Sequence, residues 1–190
     1  MIPIELLLRA YQAGLFPMGM DDGKIGWFSP DPRGIIPLDR FHVPRRLART
    51  LRHGRFSVAV NRQFGNVIRA CARRDEGTWI SAEIVQSYEA LHRMGFAHSV
   101  EVCAGDRLVG GLYGVALRGA FFGESMFSMA TDASKVALHA LVDRLQARGY
   151  RLLDVQWVTP HLLQFGAVEL PRREYMRRLA ESMQLEGGFA

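Results

Sequence analysis

The sequence predicts an α+β fold built on a mostly antiparallel sheet. Residues 98–128 alternate apolar and polar positions between tight turns, as a meander does. Helical patterns precede that stretch, and a helix–strand–helix run follows it.

In chain order, Ile4 to Ala13 places Leu7, Leu8 and Tyr11 at helical spacing, and Gly14 can end the helix. Between Gly14 and Gly34, Pro17, Pro30, Pro32 and five glycines forbid long regular elements. We place a boundary there, giving a small N-terminal annex (1–34) and a main domain (35–190). Pro44 opens a short helix on which Arg45, Arg49 and Arg52 share one face and Leu47 and Leu51 another. Phe56 to Val60 alternates like a strand. Gln63 to Arg73 is a helix with Phe64, Val67, Ile68 and Cys71 inward. Ser81 caps a helix to Met94 that Gly95 closes.

In the meander, Val100 and Val102 alternate with polar residues, and Ala104-Gly105-Asp106-Arg107 is a hairpin turn. Leu108 to Leu117 is a long strand in which Gly110-Gly111 marks a bulge or a close backbone approach. Arg118-Gly119 turns the chain into Ala120-Phe121-Phe122. Thr131-Asp132 caps a helix running to Gly149, Leu152 to Gln156 is a strand, and Arg172 to Met183 is the last helix.

A chain of 190 residues with 48% hydrophobic and 23% charged positions can bury about 70% of its unfolded surface, which excludes disorder and disulfide scaffolds. No apolar run reaches about 18 residues, so no membrane span is expected. Met1 to Arg9 carries Glu5 and no basic start, and does not read as a signal peptide. Cys71 and Cys103, with no CxxC pair, fit a reduced compartment without structural zinc.

Charge says more. The net charge is +5, carried by 22 Arg and 2 Lys, and it is lopsided: residues 1–74 are at +8 and residues 75–190 at −3. A basic, Arg-rich half fits a polyanion partner, while the plainer reading is a solvated Arg-rich surface.

Several positions carry candidate chemistry. Glu124, in Gly123-Glu124-Ser125-Met126-Phe127-Ser128, leaves an apolar strand; it either binds a cation or proton or forms a salt bridge. Asp154 and Gln156 are two apart on a strand and share a face, as a buried polar network or site, or as the exposed face of an edge strand. Trp79 at a loop–helix junction is a core lid or a stacking platform, as are Trp27, Phe28 and Phe16. The six histidines form no HxxxH or HExxH pair, which argues against a catalytic metal, and His161 reads as structural. No Walker A or GxGxxG loop is present.

The assembled motifs resemble the bacterial leucyl/phenylalanyl-tRNA–protein transferases. The matching stretches are Ala10 to Pro17, Trp27 to Arg33, Glu76-Gly77-Thr78-Trp79-Ile80, His98 to Val102, Leu108 to Ala116, Gly123 to Ser128, Ala133-Ser134-Lys135 and Pro171 to Tyr175. They cover almost the whole chain, in order. The sequence departs from longer relatives in shorter termini, in Met18 where they carry Trp after Phe-Pro, and in Cys103 at another Trp position.

The resemblance implies a GCN5-related acetyltransferase-like domain. It implies transfer of leucine or phenylalanine, also methionine, from aminoacyl-tRNA to a protein's N-terminal Arg or Lys. It further implies a cytoplasmic role in the N-degron pathway, with no cofactor, metal or membrane involved. It places Gln156 at the reacting ester, Asp154 behind it and Glu124 at the cationic acceptor. Leu112, Phe121, Met126 and Phe127 would shape the donor pocket, Trp79, Phe16 and Met18 would meet the 3′ adenosine, and Arg45, Arg49 and Arg52 would meet tRNA phosphates. The competing readings are an acetyl-CoA-dependent enzyme, a non-catalytic tRNA-binding module, and a relative with other donors or acceptors.

Overall fold

The computed structural model describes residues 1–73 and 77–189. Helix α1 (Ile4–Gln12) buries Leu7, Ala10 and Tyr11 and stops at Gly14, whose φ of +74° is cheap only for glycine. The turn-rich stretch holds three four-residue strands, β1 (Phe16–Gly19), β2 (Ile25–Phe28) and β3 (Arg33–Ile36). Strands β1 and β2 form a hairpin of their own, with Phe16 opposite Phe28. A 3-10 turn (Leu38–Arg40) leads to α2 (Arg45–His53), β4 (Ser57–Val60), α3 (Phe64–Ala72) and α4 (Ala82–Arg93). The inward face expected of α3 is buried, and at the start of α4 the Ser81 hydroxyl accepts the Ile84 N–H, as the expected cap does.

The meander is β5 (Ala97–Ala104), β6 (Arg107–Leu117) and β7 (Ala120–Ser128), followed by α5 (Ala133–Ala147), β8 (Leu152–Gln156), α6 (Pro160–Leu163), β9 (Val168–Leu170) and α7 (Arg172–Ser182). At Gly110 the close approach is real: a Cβ there would stand 2.5 Å from the Ala133 Cβ, so the missing side chain lets α5 start against β6. Gly110 also flanks a bulge: Val102 pairs with Gly110 and Cys103 with Leu108, so Val109 is an extra residue on β6, and a second register shift falls at Tyr113/Gly114. Asp132 stands at the cap position of α5 but does not cap it. Its carboxylate accepts from Arg46 and Thr50 and pairs with Lys135, tying α2 to the start of α5.

Seven strands form one sheet in the order β4-β5-β6-β7-β8-β3-β9. All neighbours run antiparallel except β7 and β8. Helices α1, α3, α4 and α7 cover one face, over a core that includes Tyr88, Val115, Phe122 and Leu179. Helix α5 covers the other, where Leu141 and Leu145 pack with Val100, Phe121 and Leu153. Each such burial contributes roughly 1.5–3 kcal/mol. The sheet is thus the middle of three layers. Among the described residues, no helix is long and apolar enough to cross a membrane.

The parallel pair decides where the molecule opens. Strands β7 and β8 stay in register only over Ala120↔Leu152, Phe121↔Leu153 and Phe122↔Asp154. Beyond that point β7 continues to Ser128 beside β6, whereas β8 pairs with β3 through Gly34↔Gln156. The two strands part at their carboxyl ends, and open sheets commonly bind ligands in such a crevice.

Candidate active site

Behind the crevice lies a buried ion pair. Asp154 is 0% and Arg33 1% exposed. Arg33 donates from Nε to Asp154 Oδ1 (3.0 Å) and from Nη2 to Oδ2 (2.7 Å), a two-pronged grip on the carboxylate. The Tyr175 hydroxyl from α7 donates to Oδ2 (2.6 Å), and the Gln156 N–H to Oδ1 (2.8 Å). Arg33 spends a further donor on the Gly14 carbonyl and lies over the rings of Phe16 and Tyr175. Four donors saturate the carboxylate, which leaves it as an anchor. What it anchors is the end of β8, where Gln156 takes a left-handed φ of +66°. A non-glycine residue held there costs of order 1–3 kcal/mol and persists only when its surroundings enforce it.

Glu124 is placed by a second irregularity. Tyr113 pairs with Ser125 and Gly114 with Gly123, so Glu124 is an extra residue without a partner on β6. Such a bulge re-aims the side chain. The Glu124 carboxyl accepts from Tyr11 of α1 (2.7 Å), Tyr88 of α4 (3.2 Å) and the Gln156 side-chain amide (3.3 Å). The Tyr11 and Tyr88 hydroxyls also lie against each other, and since each carries one proton, all three contacts of this triangle are filled together only when the Glu124 carboxyl itself is protonated. Burial, reinforced by the charge of Asp154, pushes the Glu124 carboxyl up to about 7, against three hydrogen bonds that pull it down. The salt-bridge reading of Glu124 therefore gives way to a set of uncharged donors. The edge-strand reading of Asp154 and Gln156 fails too, because β8 lies inside the sheet.

Glu124 and Gln156 face a cavity of about 440 Å³. Its apolar walls include Leu112, Met126, Leu138, Leu141, Leu153 and Leu162, and Trp79 and Trp157 also line it. The Trp79 carbonyl accepts the Gly19 N–H (2.9 Å), which pins this loop to β1.

Of the residues the sequence singles out, Trp79, Leu112, Met126, Glu124 and Gln156 meet at the cavity, and Asp154 stands sealed behind it. The other residues assigned to the donor, the adenosine or the tRNA lie elsewhere. Phe121 is wholly buried on the α5 side, 5.2 Å from the ring of Phe189. Phe127 packs against the opposite core and lines a separate groove with Cys71 and Met129, because adjacent residues on a strand point to opposite faces. Phe16 is buried beneath Trp157 and Arg33, and Met18 packs half-buried on the α1 side. Arg45, Arg49 and Arg52 are exposed on α2, with Leu47 buried beneath them. Glu76, at the start of the Trp79 motif, lies outside the described residues.

Sequence reasoning did not assign roles to Arg33, Tyr175, Tyr11, Tyr88 or Trp157. Four of these carry ordinary core or turn patterns, and only Trp157, directly after Gln156, offered a local hint. His161, read as structural, lines the cavity; burial lowers its pKa, which favours the neutral ring.

The model of the family described as leucyl/phenylalanyl-tRNA protein transferase matches residues 35–180, and that of its N-terminal domain matches residues 1–31. The leucyl/phenylalanyl-tRNA--protein transferase of Rubrobacter xylanophilus is 56% identical over 187 residues, covering 98% of this chain and 97% of that protein. A protein of the same name from Cereibacter sphaeroides (strain ATCC 17025 / ATH 2.4.3) is 55% identical over 188 residues, covering 98% and 87%. Among solved structures, L-PGS from Bacillus licheniformis aligns with a TM-score of 0.46 at 13% identity, over 93% of this chain and 61% of that one, a likeness too distant to argue from. With one family model spanning most of the chain and relatives more than half identical along nearly all of it, the chain belongs to the leucyl/phenylalanyl-tRNA protein transferase family.

Proposed function

We propose that the crevice between β7 and β8 transfers leucine or phenylalanine, and also methionine, from aminoacyl-tRNA to the N-terminal Arg or Lys of a protein. The observation that carries this reading is the contact of Glu124 with Gln156 at the mouth of an apolar cavity. The cavity takes the donor's aliphatic or aromatic side chain. The Gln156 amide stands at the ester, and the Glu124 carboxylate receives the guanidinium or ammonium of the acceptor.

The acceptor's α-amine attacks the ester carbonyl carbon. A C–N bond forms, the C–O bond to the ribose breaks, and the proton released by nitrogen leaves with the ribose oxygen. An ester is already activated toward an amine, so the reaction asks for no cofactor. Holding both reactants in line can supply roughly 7–11 kcal/mol of the barrier. With its amide nitrogen on Glu124, Gln156 keeps its carbonyl oxygen for the attacking N–H. Asp154 serves by holding the Gln156 backbone, a positioning role that its four donors support. Arg45, Arg49 and Arg52 bind the backbone phosphates of the tRNA, which orients it without reading sequence.

In this reading residues 1–34 are an annex and residues 35–190 the catalytic domain. The domain is acetyltransferase-like in the GCN5-related sense, which one splayed parallel pair in an otherwise antiparallel sheet supports. The protein works in the cytoplasm, and its products enter the N-degron pathway. The experiment is transfer of labelled leucine from Leu-tRNA to peptides starting with Arg, Lys, Asp or Ala. Label is expected on the Arg and Lys peptides. Label on Asp alone, or modification from acetyl-CoA in place of Leu-tRNA, contradicts the reading.

A further inference from the structure

Helix α2 carries Arg45, Arg49 and Arg52, yet its apolar attachment to the fold is thin. Leu47 is buried and Leu51 half-buried against the α5 side of the core. A helix of nine residues has little stability of its own and depends on what it packs against.

A polar tether supplements that packing. The Asp132 side chain is 4% exposed. Its Oδ2 accepts from Arg46 Nε (3.3 Å) and from the Thr50 hydroxyl (3.2 Å), and Lys135 Nζ lies 3.2 Å from Oδ1. Arg55, just past α2, donates to the neighbouring Thr131 carbonyl. Arg46 and Thr50 are four apart and share one stripe of α2, while Arg45, Arg49 and Arg52 stay in solvent. Burial pushes the Asp132 carboxyl up, but the bonds from Lys135 and Thr50, with the charges of Lys135 and Arg46, bring it below the usual carboxylate range.

The other end of the tether is fixed to the candidate active site. Asp132 closely follows β7, the strand that brings Glu124 and Met126 to the cavity. The Ser128 hydroxyl donates to the Ala130 carbonyl and accepts the Ser134 N–H, which closes the turn between β7 and α5. Ala133 is wedged against Gly110 of β6. Further along α5, Leu138 and Leu141 wall the cavity. One carboxylate thus joins the arginine-bearing helix to the two elements that shape the cavity.

We propose that Asp132 is a positioning residue for transfer: it holds α2 at the tilt from which a tRNA gripped by its phosphates delivers its ester to Gln156. The inference rests on reading the crevice as the transferase site and α2 as its phosphate grip. Phosphate contacts set where a nucleic acid lies. They serve the reaction only if their distance from the cavity is fixed, because a misplacement of about 1 Å can cost about 100-fold in rate. A role as a mere charge has the opposite signature. An anion beside a basic helix repels tRNA, so its loss would tighten binding and leave the bound complex as fast as before.

The test compares the wild-type protein with Asp132→Asn and Thr50→Val. Asparagine tolerates the left-handed φ of +68° found at Asp132, and valine keeps the shape of threonine without changing charge. The donors are intact Leu-tRNA and leucyl-adenosine, which has no phosphate to offer α2; the acceptor is one Arg-started peptide. Asp132→Asn should bind Leu-tRNA at least as tightly as wild type, yet transfer from saturating Leu-tRNA about fivefold more slowly or worse. Thr50→Val should lose about twofold or more in the same rate. Transfer from leucyl-adenosine should stay within about twofold of wild type for both. Equal slowing with both donors marks damage to the fold and overturns the proposal. So does wild-type speed on Leu-tRNA, or weaker binding with an unchanged rate at saturation. If the wild-type protein accepts Leu-tRNA alone, the split between affinity and saturated rate decides. Wild-type transfer from neither donor brings down the transferase reading itself, whereas variants that keep pace with an active wild type bring down the tether only.

Discussion

Glu124 is a buried carboxyl whose direct partners carry no charge, and this sets a pH dependence. Its pKa is raised to about 7, so it is mostly neutral below that pH and mostly carboxylate above. Only the carboxylate pairs with a cationic side chain. Affinity for an Arg-started peptide should therefore strengthen as pH rises from 6 to 8, with KM falling about five- to tenfold, and Glu124→Gln should flatten the trend. Comparing the two proteins isolates this carboxyl from the acceptor's own amine, which titrates near pH 8. A wild-type KM as flat as the variant's would contradict the assignment. The pair behind it is set by different physics: removing either Arg33 or Asp154 leaves the other charged and sealed from water, a loss of about 3–5 kcal/mol. Asp154 and Gln156 were legible because two polar residues with period-two spacing interrupt an apolar strand. Arg33 was not, because Pro-Asp-Pro-Arg-Gly reads as a turn and its partner lies 121 residues away.

Among the elements, the helices were the most readable. Helices α1, α3, α4, α5 and α7 follow the 3.6-residue period, with ends near the expected caps. Strands β1, β2, β3 and β9 are three or four residues long, too short to show alternation among prolines and glycines. The β7 bulge was equally hidden, since an extra residue leaves no compositional mark, yet it puts Phe121 and Met126 toward the α5 side and Phe127 toward the other. Helix α2 carries a prediction of its own. Its arginines 45, 49 and 52 stand free in solvent while Arg46 turns to Asp132. Replacing the three with Gln should weaken tRNA binding and reduce the salt slope, d log K/d log [salt], by about two to three units in filter-binding titrations. An unchanged slope would take α2 out of the tRNA footprint.

At the scale of the whole molecule, one topological feature gathers the site. A sheet antiparallel throughout would keep β7 and β8 paired along their length, whereas the parallel pair separates after three residues and leaves a cavity there. Tyrosines from α1, α4 and α7 and an arginine from β3 then fill the seam with donors. The α+β class and the central meander could be read from the sequence, but the splay could not, because it depends on which strand β8 chooses as neighbour. The account stands on the splayed seam being where the peptide bond forms. Single-turnover transfer of labelled leucine from saturating Leu-tRNA to an Arg-started peptide, by the wild-type protein and by Gln156→Ala, tests this most directly. The account predicts a rate at least 100-fold lower for the variant, with Leu-tRNA affinity and melting temperature preserved. A variant that transfers at the wild-type rate would contradict it.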